Sequence, residues 1–133
     1  MFDRRIHDYW EPPDNPESRS LLEELTSARR AENQAAARRL RAAGKLFEMR
    51  RIQRGESEDW AVDSWAAVSA EVAAAVSIPP GRASGWLRHG VAMRRLPATA
   101  AVFEAGDLDA ETFATIAYRT ELVTDPDATA TDP

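Results

Sequence analysis

The stretch from Val72 to Trp86 constrains the fold of this chain more than any other part of the sequence. Two prolines separate two segments in which apolar or small residues recur every three or four positions, as on one face of a helix. This pattern predicts a helix-turn-helix unit, two helices joined by a short turn and packed on each other. The residues expected to face the core or fill the turn are Val72, Ala73, Val76, Ile78, Ala83 and Trp86.

Two positions depart from the usual pattern of such units. Ser77 occupies the turn position where glycine is usual. Gly85 lies inside the second helix, where glycine costs about 1 kcal/mol relative to alanine. The stretch therefore indicates a packing geometry more strongly than it indicates DNA binding.

A long helix is predicted before this unit, from Ser18 to about Arg54, with Asn15 or Ser18 as its cap. Gly44 is expected to weaken it, and Gly55 is expected to end it. Because its apolar stripe is narrow, we expect the helix to project from the body or to pair with another chain, such as a second copy. The stripe consists of Leu21, Leu22, Leu25, Ala28, Ala36, Leu40, Ala43, Leu46 and Phe47.

Shorter helices are predicted from about Trp60 or Asp63 to Val76, from Pro80 to about Arg95, over residues 97–105, and after Asp109. No sustained alternation of polar and apolar residues indicates a strand. The fold class is therefore all-α, a long N-terminal helix followed by a small helical bundle. The core residues expected from the last two helices are Val102, Phe103, Phe113, Ile116 and Ala117.

The sequence predicts three parts. Residues 1–17 contain three prolines and are expected to form an irregular N-terminal arm. Residues 18–123 form a single helical domain. Residues 124–133 are polar and contain two prolines, which predicts a flexible tail.

The net charge of −5 is unevenly distributed. Residues 29–54 carry nine basic and two acidic side chains, a local charge of +7, and residues 72–103 carry four arginines and no acid. Basic blocks in an acidic chain are one signature of a protein that binds a polyanion. The alternative is that they are solvated helix faces partly paired with acids elsewhere, and for residues 29–54 this alternative is favoured.

The composition excludes several classes of site. The chain has no cysteine, so disulfides and thiolate metal sites are excluded, which fits a cytoplasmic protein. No apolar run reaches the length of a membrane span, and the N-terminus lacks a signal peptide's apolar region. The acidic clusters at residues 56–59 and 107–111 are explained as helix caps rather than metal ligands. We therefore expect no metal, no cofactor and no membrane partner.

Several short runs along the chain carry a family resemblance. They are Ala31-Glu-Asn-Gln-Ala-Ala-Ala-Arg38, Leu46-Phe47, Trp60-Ala-Val-Asp63 with Trp65, Ala70-Glu-Val-Ala-Ala-Ala-Val76, Gly81-Arg-Ala-Ser84, Phe103-Glu-Ala-Gly-Asp107 and Ile116-Ala-Tyr-Arg119. Together, over roughly residues 20 to 127, they resemble the N-terminal domain of the mycobacterial 13E12 repeat family, domain of unknown function 222.

The resemblance implies an all-helical domain whose own biochemical role is not established. Such proteins commonly carry an HNH endonuclease module at their C-terminal end. The family continues past residues 124–128 into further helices, so this chain resembles a short or truncated copy.

The chemistry of an HNH nuclease is missing from the sequence. Such an enzyme needs histidines as metal ligand and general base, with an asparagine nearby. The chain has only His7 and His89, and only Asn15 and Asn33, in no compact motif. We therefore predict no catalytic residues and a protein that is not an enzyme.

Two function classes remain open. The first is a DNA-binding module, in which the helix beginning near Pro80 enters the major groove. The second is a structural or interaction domain in which the same helices merely pack, and a decayed reading frame without function is a third alternative. Arg82 is the expected base or phosphate contact near the helix start, and Arg88 the expected backbone contact. The full set of candidate DNA-binding residues is Arg82, Ser84, Arg88, Arg94 and Arg95.

Overall fold

The computed structural model describes residues 10–57 and 61–123. Over these ranges the chain forms five α-helices and no β-strand, which confirms the all-α class with a long first helix. None of these helices is long and apolar enough to cross a bilayer. The predicted tail and residues 1–9 of the predicted arm lie outside the described residues. The helices are α1 (Pro16–Gln53), α2 (Val62–Val76), α3 (Pro80–Arg95), α4 (Pro97–Glu104) and α5 (Ala110–Glu121).

Local signals fix most helix ends. The backbone N–H of Ser18 donates to Asn15 Oδ1 at 2.8 Å, and the Ser18 hydroxyl accepts from the Asn15 backbone, a reciprocal cap that starts α1. Gly55 follows α1 with a φ of 71°, as a helix-ending glycine does. Asp109 Oδ1 accepts from the Thr112 N–H at 2.7 Å and starts α5. These ends confirm the predicted helices to within about two residues.

The core consists of two clusters that share the second half of α1. In one, Phe103 of α4 stacks on Phe113 of α5 at a ring-centroid distance of 4.9 Å, against Leu40 of α1. In the other, α2 and the first half of α3 pack around Phe47 of α1. The second half of α1 therefore lies at the centre of the bundle and contributes to both clusters. The buried residues of this second cluster are Ala43, Phe47, Ala61, Val68, Val72, Ala73, Ala83 and Leu87.

Helices α1 and α3 touch through two glycines. A Cβ placed on Gly90 would lie 2.7 Å from the Gly44 nitrogen, and one placed on Gly44 would lie 2.7 Å from the Gly90 carbonyl carbon. Both distances are shorter than any real Cβ contact, so only glycine permits this crossing. Gly44, expected from the sequence to weaken α1, is thus also the position where its missing side chain lets α3 approach.

Two core predictions are wrong. Val76 is 47% exposed. Each four-residue step rotates the side-chain direction by about 40° about the helix axis, so Val76 points away from the direction of Val72, and α2 ends at this residue. Ile78, in the turn, packs against the core in its place. Val102 is 44% exposed, because α4 turns Phe103, Thr99 and Ala100 inward and leaves the adjacent position outside.

The N-terminal part of α1, before Arg29, projects from the body, as the narrow stripe predicted. No residue between Pro16 and Glu32 is buried. The expected apolar stripe is present but uncovered, with Leu21, Leu22 and Leu25 exposed by 56%, 60% and 66%. A periodic pattern identifies the face of a helix, but it does not say how far the rest of the chain reaches along it.

The glycine crossing predicts opposite outcomes for two substitutions in the same helix. Gly90→Ala should destabilise the protein by about 1–3 kcal/mol or more, because the new methyl group meets the backbone of α1. Gly85→Ala is the matched control. No atom lies within 4 Å of its added Cβ, so it should stabilise α3 by about 0.5–1 kcal/mol. Chemical denaturation of both variants measures this difference, and equal stabilities would contradict the close crossing.

Candidate nucleic-acid interface

Helices α2 and α3 are joined by a short turn and pack on each other, in the stretch for which the sequence predicts a helix-turn-helix unit. Ser77 adopts the left-handed conformation, with φ 60° and ψ 52°, at the position where glycine is usual. The next N–H, of Ile78, then donates back to the Ala73 carbonyl at 3.1 Å and closes the end of α2. Pro79 is extended and its carbonyl accepts from the first N–H groups of α3. Serine thus adopts the left-handed conformation that this turn requires, and it does so at a cost in free energy that glycine would not have.

Trp65 connects α2 to both α1 and α3. Its ring packs edge-on against Phe47 of α1 at a centroid distance of 4.9 Å, and its Nε1–H donates to Ser84 Oγ of α3 at 2.8 Å. One side chain of α2 therefore contacts both neighbouring helices. Ser84, a predicted DNA contact, is half-buried and already accepts a hydrogen bond inside the protein.

The outward face of α3 carries two exposed arginines near its start and its middle. Arg82 and Arg88 are exposed, and among the described residues neither has a carboxylate within 4.0 Å. Gly81 and Gly85 lie on the same half of the helix and have open space beside them. This face is accessible to a large partner, and its two arginines are not neutralised by the described part of the protein.

The other two predicted arginines are held by neighbouring groups. Arg94 Nη1 lies 3.1 Å from Glu48 Oε1 on α1. Arg95 donates to Thr120 Oγ1 at 3.0 Å and to the Ala117 carbonyl at 3.3 Å, which ties α3 to α5. Both lie at the C-terminal end of α3, away from the helix start where Arg82 lies.

Arg39, which no sequence pattern singles out, joins this surface from α1. Its guanidinium carbon lies 4.4 Å from the centre of the Trp86 ring, a cation–π contact. Burial lowers the pKa of Arg39, and the positive charge of Arg82 lowers it further. Nothing in the local pattern of α1 distinguishes Arg39 from its neighbour Arg38, because the distinction arises only when α3 brings Trp86 alongside.

Most of the basic block at residues 29–54 is neutralised. Arg50 makes a two-point contact with Glu71 of α2, at 3.2 and 2.7 Å, and these hydrogen bonds lower the pKa of the Glu71 carboxyl. Five further basic residues of the block have acidic partners, which confirms for this block the interpretation of partly paired helix faces. The pairs are Arg29 with Glu32 and Asp109, Arg30 with Asp107, Arg41 with Glu104, Arg51 with Glu48, and Arg54 with Glu56.

The described residues offer no cluster suited to a metal. Within residues 10–57 and 61–123, no three His, Asp or Glu side chains come together as ligands. His89 is half-buried on α3, and its pKa is lowered by burial and by Arg88, against the opposite effect of Glu121. His7 lies outside the described residues.

The contact between Trp65 and Ser84 gives a stability prediction. Ser84→Ala should cost about 0.5–1.5 kcal/mol, because the indole N–H loses its acceptor. In a Trp65→Phe background the same change should cost less, because no donor remains. Ser20→Ala, at an exposed position of α1, is the control. Thermal or chemical melts measure the cycle, and an unchanged cost in the Phe background would contradict the contact.

Comparison with known proteins places the chain in a family. A model described as "Domain of unknown function (DUF222)" matches residues 27–132. The uncharacterized protein Rv2100 of Mycobacterium tuberculosis strain H37Rv is 45% identical over 109 residues, which cover 82% of this chain and 20% of the relative. The uncharacterized protein Rv3776 of the same strain is 41% identical over 128 residues, which cover 96% of this chain and 24% of the relative.

A third relative from M. tuberculosis, described as an uncharacterized protein in the est 3' region, is 41% identical over 128 residues, which cover 36% of the relative. The chain therefore spans about a fifth to a third of the length of the curated relatives it matches. No solved structure matches it. The match over residues 27–132 shows that this chain belongs to the DUF222 family, whose function is unknown.

Proposed function

We propose that this chain is a non-enzymatic DNA-binding module in which the first half of α3 enters the major groove. The observation that carries the proposal is the open face of α3, where Arg82 and Arg88 are exposed and have no acidic partner among the described residues. Phosphate contacts from arginine supply most non-specific DNA affinity, so the distribution of charge matters more than the net charge of −5.

The two arginines have different roles in this proposal. Arg82 lies in the first turn of α3, where the recognition helix of such units meets base edges or the nearby phosphates. Arg88 lies six residues further along and is suited to the flanking backbone. Ser84, Arg94 and Arg95 are already bonded within the protein, so we assign them to packing and give the primary contacts to Arg82 and Arg88.

The module is proposed to belong to a longer protein of the 13E12 repeat type, in which it directs an HNH nuclease to DNA. Two findings support this part of the proposal. The chain belongs to DUF222, and it spans 20% to 36% of its curated relatives. In the proposal catalysis belongs to that other module, and the present chain contributes only binding.

A salt series tests the DNA-binding proposal. Affinity for a short DNA duplex should fall as salt rises, and Arg82→Ala or Arg88→Ala should each weaken binding and reduce the slope of log affinity against log salt by up to about 1. The melting temperature of both variants should change little, because exposed arginines contribute little stability. Arg19→Ala, at the far end of α1, is the control for loss of one positive charge. No affinity at low salt, or equal effects of Arg19→Ala, would contradict the proposal.

A specific observation favours a second candidate, an interaction domain that pairs with a second copy. The apolar face of α1 continues beyond the body through Leu22 and Leu25, which nothing in the described part of the chain covers. Arg19 and Glu23 lie one turn apart beside Leu22 and have opposite charges. In an antiparallel pair of helices centred near Leu22, Arg19 would face the partner's Glu23, which gives complementary charges on that flank.

Self-association is measured by sedimentation or light scattering over a range of concentrations. The protein should show a mass that rises toward the dimer, and Leu22→Glu with Leu25→Glu should return it to the monomer, because the charges would be buried in the seam. Met49→Glu, at an exposed apolar position on the other half of α1, should have no effect. A monomer at every concentration would contradict this candidate.

A further inference from the structure

An arginine of α1 and an arginine of α3 both lie near Trp86 on the surface of the unit. Arg39 of α1 is held over the Trp86 ring at 4.4 Å. Trp86 lies one helical turn after Arg82 on α3, and helical side chains lean toward the N-terminal end, which brings the Trp86 ring toward the turn that carries Arg82. The cation–π contact thus places the Arg39 guanidinium about one helical turn from Arg82, near enough for the charge of Arg82 to act on it.

This pair of like charges has no counter-charge in the described residues. No carboxylate lies within 4.0 Å of either guanidinium. Most arginines of α1 have acidic partners, so the surface supplies acids elsewhere and omits them here. Part-burial of Arg39 and its repulsion by Arg82 both disfavour its charged form and lower its pKa. An anion placed between the two would relieve the repulsion and replace lost solvation.

The chemistry of the pair selects the anion. A guanidinium that stacks on an indole through its flat face keeps its edge N–H groups for hydrogen bonds. Two such edges suit a tetrahedral oxyanion with several acceptor oxygens, as in Arg–phosphate pairs. A small halide would satisfy the charge but not the several directed donors.

We propose that Arg39 and Arg82 together bind a single phosphate of the DNA backbone. The inference rests on the proposed function and deepens it, because it assigns Arg82 to a phosphate rather than to a base and adds a residue from outside the helix-turn-helix unit. Since α1 lies at the centre of the bundle, the contact of Arg39 with the phosphate sets the position of α3 on the duplex. Phosphate contacts of this kind fix register and carry no sequence information themselves.

Comparing the single and double variants over a salt series tests the shared phosphate. Arg39→Ala and Arg82→Ala should each weaken binding to a DNA duplex. The double variant should reduce the slope of log affinity against log salt by about 1 in total, because one phosphate contact is lost. Two separate phosphates would instead reduce the slope by about 2. Arg38→Ala is the matched control, one residue away on α1 with an exposed side chain.

The outcomes separate this inference from the proposed function. If the protein binds DNA but Arg39→Ala behaves like Arg38→Ala, or the double variant loses a slope of about 2, the shared phosphate is overturned and DNA binding stands. If the protein does not bind DNA, the proposed function fails, and the DNA-phosphate site fails with it.

A second measurement then identifies any free-phosphate site. Inorganic phosphate is compared with chloride at equal ionic strength by thermal melting. Protection that disappears in Arg39→Ala and in Arg82→Ala would assign the pair to free phosphate rather than DNA. Absence of protection, together with absence of DNA binding, would overturn the anion site altogether.

Discussion

The arrangement of this domain depends on the contact between the backbones of α1 and α3 at Gly44 and Gly90. A side chain at either position would be forced against the opposite backbone, so the two backbones are in direct contact there. The core is rich in alanine, and small side chains bury enough apolar surface only when helices approach closely. The crossing also fixes the rotation of α3 about its axis, with Ala83 and Leu87 inward and Arg82 and Arg88 outward.

The distribution of ion pairs decides which charges are available to a partner. Exposed pairs such as Arg30 with Asp107 add little stability. Their main consequence here is to neutralise most of the basic block on α1. The acid-free segment that contains α3 keeps two arginines, Arg82 and Arg88, that have no acidic partner within residues 10–57 and 61–123, and Arg39 joins them from α1. A surface of this kind is small, so affinity for DNA would come from a few well-placed contacts rather than from a broad positive field.

The helices could be predicted from sequence because their ends are local events. Asn15 and Asp109 accept hydrogen bonds from residues three positions ahead, Pro80 occupies the first position of its helix, which proline favours, and Gly106 has a φ of 92° that suits a turn. Each signal lies within a few residues of the structure it specifies. The inward positions Ala83 and Phe103 followed from helical periodicity in the same way.

The remaining features depend on pairings between distant segments. The exposure of Leu22 reflects where the body ends, and the role of Gly44 reflects the presence of Gly90, neither of which a local pattern contains. Ser84 is a candidate DNA contact from its place near the start of α3, and only the packing of the helices shows that Trp65 donates a hydrogen bond to it. In the candidate site, sequence could identify the arginines of α3 but could not say which of them have partners.

Chemical-shift mapping by NMR tests the central claim, that the first half of α3 and the adjoining Arg39 form a DNA-binding surface. A short DNA duplex is titrated into labelled protein at low salt. The account predicts that shifts concentrate in residues 80–89, at the backbone of Arg39 and at the Trp86 indole N–H, while α4 and α5 change little. Shifts confined to α4 and α5, or no shifts at all, would contradict it.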